Sequence, residues 1–213
     1  MTGRRRPVRG RLIALEGIDG AGKSTLARSL ARALRRDGFS VALRREPADP
    51  TLGRLAQSSS VRDPWSGAIY FTLDRYLARR GLERDLARHD FVVSDRSFFS
   101  TLAYQGSALS PRDKRRLEEM QRDATPAPDR VLLIDLSPTK SLERLGSRGS
   151  RRAPLERRAT LERVYREYRS LARRHRWAVL DGRLPPRDLT GAALEALRQV
   201  GSRRTRSGRP RRR

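Results

Sequence analysis

The sequence predicts an α/β domain, a five-stranded parallel sheet with helices on both faces. Three observations predict it. Short apolar runs bounded by turn residues recur at Leu12–Leu15, Val41–Leu43, Phe91–Val93, Val131–Leu136 and Trp177–Leu180. The segments between these runs carry helical spacing. The runs FVVSD and VLLIDL are continuous rather than alternating, as strands buried on both faces require.

Taken in order, the first run breaks into the glycines of GIDGAGKS and returns as a helix over Ser24–Arg36, with Gly38 placed to close it. The second run is followed, after a stretch rich in Pro, Gly and Ser, by a helix over Asp74–Arg88. The third ends in Asp95 and Arg96 and leads toward a helix over Pro111–Asp123. The fourth precedes a helix over Leu155–His175, and the fifth a helix over Leu189–Val200. No internal repeat interrupts this alternation.

A chain of 213 residues suits one core better than two. Residues 11–200 form the expected domain, and 1–10 and 201–213, with many like charges and almost no apolar side chains, read as solvated basic arms. The formal net charge is +25, from 49 Lys+Arg against 24 Asp+Glu, and only Lys23, Lys114 and Lys140 are lysines. Such a field attracts phosphorylated small molecules. Read as a grip on nucleic acid, the arms lack a reader module to serve, so a nucleic-acid partner is not expected. The absence of cysteine excludes disulfides, thiolate catalysis and Cys-based zinc sites, and suits a cytoplasmic protein. No run approaches the ~20 apolar residues that span a bilayer.

The chemistry concentrates at two strand ends. Gly17-Ile18-Asp19-Gly20-Ala21-Gly22-Lys23-Ser24 fits G-x-x-x-x-G-K-[ST], after a strand and opening a helix. Backbone N–H groups in such a loop, running on to Thr25, point into a concavity at a helix N-terminus that favours phosphate oxygens. Lys23 is expected on the β- and γ-phosphates of ATP and Ser24 on Mg²⁺. Asp19 is the odd member, a carboxylate inside an anion cradle, and is expected to face a hydroxyl donor elsewhere. At the end of FVVSD, where α/β sheets bind ligands, Asp95 can hold a magnesium-bound water and Arg96 can fork onto a phosphate.

Together LEGIDGAGKST, RREP, FTLDR, SDRSFFSTLAYQG and PDRVLLIDL, in this order, resemble the thymidylate kinase family from about Leu12 to Gly182. The resemblance implies a P-loop kinase that moves the γ-phosphoryl of ATP to dTMP with Mg²⁺, as a homodimer. It places Asp19 near the acceptor sugar, Phe71 on the thymine ring, Arg75 at a thymine carbonyl and Arg96 on the acceptor phosphate. Thr101 takes a base-edge position, Tyr104 one beside the sugar, and Gln105 a nearby polar one. With Gly20 and Ala21 where a basic residue could stand, the resemblance implies that arginine comes from a lid at about 146–156. Arg148, Arg151 and Arg152 are its candidates there, with Arg152 aligning best. The chain departs from the family pattern at Ser97, at Ala48-Asp49-Pro50-Thr51, at the lid's RRAP with Glu156, and at Tyr165. These changes leave room for a related enzyme acting on another nucleoside monophosphate. A nucleic-acid-binding P-loop ATPase is the alternative of a different class.

Overall fold

The chain is seen here as a computed structural model, which describes residues 10–60, 63–146 and 154–198. Five strands, β1 (Arg11–Glu16), β2 (Val41–Arg45), β3 (Phe91–Asp95), β4 (Arg130–Asp135) and β5 (Ala178–Asp181), form one parallel sheet in the order β2-β3-β1-β4-β5. Each apolar run read from the sequence is one of these strands. Eight α-helices are described: α1 (Lys23–Arg36), α2 (Pro50–Ser60), α3 (Pro64–Arg88), α4 (Phe98–Tyr104), α5 (Pro111–Ala124), α6 (Pro138–Gly146), α7 (Pro154–His175) and α8 (Pro186–Arg198).

Successive residues on a strand point to opposite faces, and the core divides accordingly. Leu12 and Val92 pack with Leu82 and Leu86 of α3, while Ile13 and Val93 belong to the larger cluster that holds Leu26 and Leu30 of α1. Helices therefore cover both faces, and the strands can be apolar throughout.

Helix ends differ from the sequence reading for local reasons. The third helix starts at Pro64, ten residues before Asp74. Asp63 caps it by accepting from Ser66 N at 2.8 Å, with proline in the first turn, a start signal that the apolar stretch after it obscures. Helices α2, α4 and α6 were not expected. Asp49 caps α2 through the amides of Thr51 and Leu52, Ser97 caps α4 through that of Phe99, and both helices are too short or too Ser-rich to show a period. The last helix opens at Pro186, ahead of Leu189. The two basic arms and lid residues Arg148, Arg151 and Arg152 lie outside the described residues.

The C-terminus of α1 closes as Gly38 predicted. Its amide bonds to Arg35 O at 3.1 Å, and Phe39 N to Leu34 O at 3.1 Å, with Gly38 at φ +89°. Gly38→Ala should cost about 1 kcal/mol, because a side chain is strained in that conformation. Gly191→Ala, in helix α8 with nothing within 4 Å of the new methyl, should stabilise by about 0.5–1 kcal/mol. Urea unfolding of the two variants should shift in opposite directions.

Candidate active site

The site is built where β1 and β3 end side by side. Leu15 lies opposite Asp95 in the parallel register, and Arg96 N bonds back to Leu15 O at 3.1 Å. The loop Gly17–Gly22 leaves β1 and enters α1 through Gly22, which caps the helix in the left-handed region with no side-chain bond. The first-turn amides, those of Lys23 and Ser24 among them, therefore face outward for an anion. Thr25 N is turned back to Gly22 O at 3.1 Å. Ile18 and Ala21 face the core at 1% exposure, so the loop is anchored at two points between its glycines.

Helix α6 braces this loop. Ser141 Oγ donates to Asp19 O. A methyl group added at Gly20 would lie 3.0 Å from Ser141 O and 3.1 Å from Leu145 Cγ, on a backbone at φ +81°. At Gly20, one of the two positions read as lacking a basic residue, a side chain is therefore disfavoured by a left-handed backbone and by tight contacts together.

Lys23 Nζ donates to Gly17 O at 2.8 Å and Ile18 O at 2.9 Å. Burial, and then the charge of Arg96, push its pKa down to about 7. Ser24 Oγ donates to Asp95 Oδ2, bringing one hydroxyl and one carboxylate together at the helix start. Among the described residues no group of three or more His, Cys, Asp or Glu is placed to hold a metal ion. A hydroxyl–carboxylate pair beside an anion cradle fits Mg²⁺, which binds through few protein ligands and takes the rest from phosphate and water.

Asp19 and Arg96 find each other. Arg96 Nη2 donates to Asp19 Oδ1, and Nη1 to Ser100 Oγ at 3.0 Å, while the guanidinium carbon stands 5.3 Å over the Tyr104 ring. Burial opposes the guanidinium charge, but Asp19, with Tyr104, Tyr168 and Glu16 behind it, outweighs burial and holds the pKa above its ordinary value. The pairing explains how a carboxylate is tolerated in the cradle: its charge is matched across the cleft. Arg96 goes to Asp19, not to the adjacent Asp95. Its backbone sits at φ +80°, strain of about 1–2 kcal/mol for a residue with a side chain. The Tyr104 hydroxyl accepts from Asp19 N at 3.0 Å, and burial, helped by Asp19, pushes its pKa up.

Arg75 and Thr101 lie deeper, both buried. Arg75 Nη1 donates to Thr101 Oγ1 and to Gln121 Oε1, each at 2.8 Å, Nε to Glu46 Oε2 at 2.7 Å, and Nη2 to Ser97 O at 3.2 Å. Phe71 is half-buried one turn earlier on α3, 6.0 Å from the Arg75 guanidinium. Gln105 is buried at the end of α4, its amide bonded to Thr101 O at 3.0 Å. The RREP segment is fixed to the same helix, since Asp74 accepts from Ala48 N at 2.9 Å and Asp49 N at 2.7 Å. The expected residues thus fall into an upper group around Asp19, Arg96 and Tyr104 and a deeper one around Arg75, Thr101 and Gln105, with Ser97, next to Arg96 in the chain and bonded to Arg75, between them.

A model of the thymidylate kinase family matches residues 15–191. The chain belongs to that family. It is 36% identical over 197 residues to a probable thymidylate kinase of Metallosphaera sedula, spanning 92% of this chain and 97% of that protein. It is 40% identical over 158 residues to the thymidylate kinase of Xanthomonas campestris pv. campestris, covering 72% and 68% of the two chains. With the thymidylate kinase of Synechococcus sp. (strain WH7803) it shares 35% identity over 206 residues, 89% and 96% of the two.

For a member of the thymidylate kinase family, sequence reasoning missed the residues beneath the site: Glu16, Glu46, Gln121, Ser141 and Tyr168. Glu16 ends an apolar strand, which is a signal in retrospect, because a carboxylate there has to be satisfied internally. Gln121 gives none, sitting among the charges of α5, yet it is fully buried and also donates to Thr72 Oγ1 at 2.6 Å. Gln121→Leu removes an acceptor from the buried Arg75 guanidinium. The variant should lose about 1–3 kcal/mol of stability in urea unfolding.

Proposed function

We propose that this chain transfers the γ-phosphoryl group of ATP to dTMP, releasing dTDP and ADP. The observation that carries the reading is the convergence of Lys23 and Ser24 on the cradle side with the Arg96–Asp19 pair facing them, in a member of the thymidylate kinase family. One side suits a triphosphate and the other a monophosphate.

In this reading the loop Gly17–Ser24 holds the ATP phosphates through its outward amides, those of Lys23 and Ser24 among them, while the Thr25 amide stays turned back to Gly22 O. Lys23 leaves the carbonyls of Gly17 and Ile18 for the β,γ-oxygens. Ser24, and Asp95 through water, would hold Mg²⁺, which supplies neutralisation of the terminal phosphates. Arg96 aims the acceptor phosphate, whose oxygen attacks the γ-phosphorus while the bond to the β,γ-bridging oxygen breaks. Asp19 and Tyr104 face the sugar, Phe71 the base plane, and Arg75, Thr101 and Gln105 its edge. No covalent enzyme intermediate is needed; positioning and charge neutralisation carry the chemistry. Because the cradle carries no arginine and a side chain at Gly20 is disfavoured, arginine for the transferring group is assigned to the lid, with Arg152 ahead of Arg148.

We assign the partner in solution as a second copy of the chain. Ile69, Leu73, Tyr76 and Leu77 form one face of α3, and each is 42–65% exposed. Sedimentation should give a dimer for the wild type and a monomer for Leu73→Glu/Leu77→Glu.

The functional test is a panel of dTMP, dUMP, CMP, dCMP, UMP and GMP with ATP and Mg²⁺. Turnover should be highest on dTMP, and a higher rate on any other acceptor overturns the substrate. Lys23→Ala should lower turnover on the order of 10²–10³-fold, and Arg152→Ala by about 10³-fold or more.

A further inference from the structure

Glu16 does nothing in the mechanism above, yet it is among the most enclosed charged groups in the chain, at 0% exposure. Its carboxylate takes four hydrogen bonds. Oε1 accepts from Ser97 N and Ser97 Oγ, each at 2.7 Å; Oε2 accepts from Ser100 Oγ at 2.6 Å and from the Tyr168 hydroxyl at 2.9 Å. A buried carboxylate this well satisfied is a fixed point, and everything bonded to it is fixed with it.

Two of those bonds reach Arg96 from different directions. Ser97 follows Arg96 directly, so clamping its amide and hydroxyl holds the chain on one side of the left-handed residue. Ser94 Oγ, which donates to Arg96 O at 2.6 Å, steadies that same peptide, and Leu15 O, which accepts from Arg96 N at 3.1 Å, holds the other side. Ser100 is the second link. Because its hydroxyl hydrogen goes to Glu16 Oε2, its lone pairs are turned outward, and Arg96 Nη1 donates into them at 3.0 Å. Both the backbone and the guanidinium of Arg96 are thereby referred to one buried charge.

We infer that Glu16 is a positioning residue for the acceptor phosphate, acting on Arg96 through Ser97 and Ser100. This rests on the reading of Arg96 as the acceptor-phosphate arginine. Preorganising a charged donor avoids its reorganisation when the anion arrives, so the effect belongs to the acceptor and not to ATP.

The test compares the full-length wild type, Glu16→Gln, Ser100→Ala and the double variant. Glu16→Gln keeps the shape and removes the charge; Ser100→Ala cuts only the link to the guanidinium and serves should the first variant fold poorly. The wild type is first run on the monophosphate panel, and the acceptor it takes best is used throughout. An error in acceptor identity then corrects the functional reading alone, whereas a wild type that takes no monophosphate overturns both. The KM for the acceptor, and its Kd by calorimetry without ATP, should rise about tenfold in each single variant, the loss of one charge-assisted hydrogen bond. The KM for ATP should change by less than about twofold, since the ATP cradle keeps its contacts. The double variant should be no worse than the poorer single one, because both break the same chain of bonds. Equal rises in both KM values, additive effects, or lower thermal stability with unchanged acceptor affinity would each show Glu16 to be merely structural and overturn the inference.

Discussion

The site depends on the register between two neighbouring strands. With Leu15 opposite Asp95, the loop leaving β1 and the turn leaving β3 emerge at the same height, and Ser24 can meet Asp95 while Arg96 meets Asp19. Parallel pairing makes this economical, since every strand end that carries chemistry lies on one edge of the sheet. A slip of one residue would turn Asp95 to the other face and separate the two halves. The apolar side chains that bury both faces are thus also what aligns the polar ones.

Charge in the cleft is arranged in pairs rather than as a uniform positive field. The chain carries a large excess of arginine, yet Arg96 is matched by Asp19 and Arg75 by Glu46. Lys23 donates to two carbonyl oxygens, and burial weakens its charge although Asp19, Asp95 and Glu16 act against that. Among the described residues, an incoming anion would gain at Lys23, whose hydrogen bonds go to neutral carbonyls rather than to an acid. Specific recognition therefore rests on the few charges the fold leaves incompletely compensated, and not on the overall excess.

Much of this was readable beforehand, and what was not has physical causes. The strands were visible because a parallel sheet demands continuous apolar runs, and the loop because phosphate binding demands glycines at fixed spacing. Asp95, Arg96 and Asp19 do lie together where β1 and β3 end, but their pairing was not foreseen, because linear order does not say which of two adjacent side chains turns across. Helices α2, α4 and α6 are short and held mainly by caps and tertiary contacts, so they leave little periodic trace. The supporting polar residues fared worst: Glu16, Gln121 and Tyr168 are ordinary letters in sequence, and their importance arises only when remote segments meet.

Helix α6 shows what such a missed element can decide. A methyl added at Gly20 would stand only 3.0 Å from the Ser141 carbonyl oxygen, on a backbone at φ +81° that already disfavours a side chain. The loop and the helix therefore constitute a one-way commitment in design. An engineer seeking to relocate a catalytic arginine to that position would meet a strained backbone and a close helix at once, and any yielding of the helix would bear on the hydrogen bond that steadies the loop at Asp19. Catalytic repertoire in this fold is in that respect limited by the clearance beneath the loop as much as by the residues displayed on it.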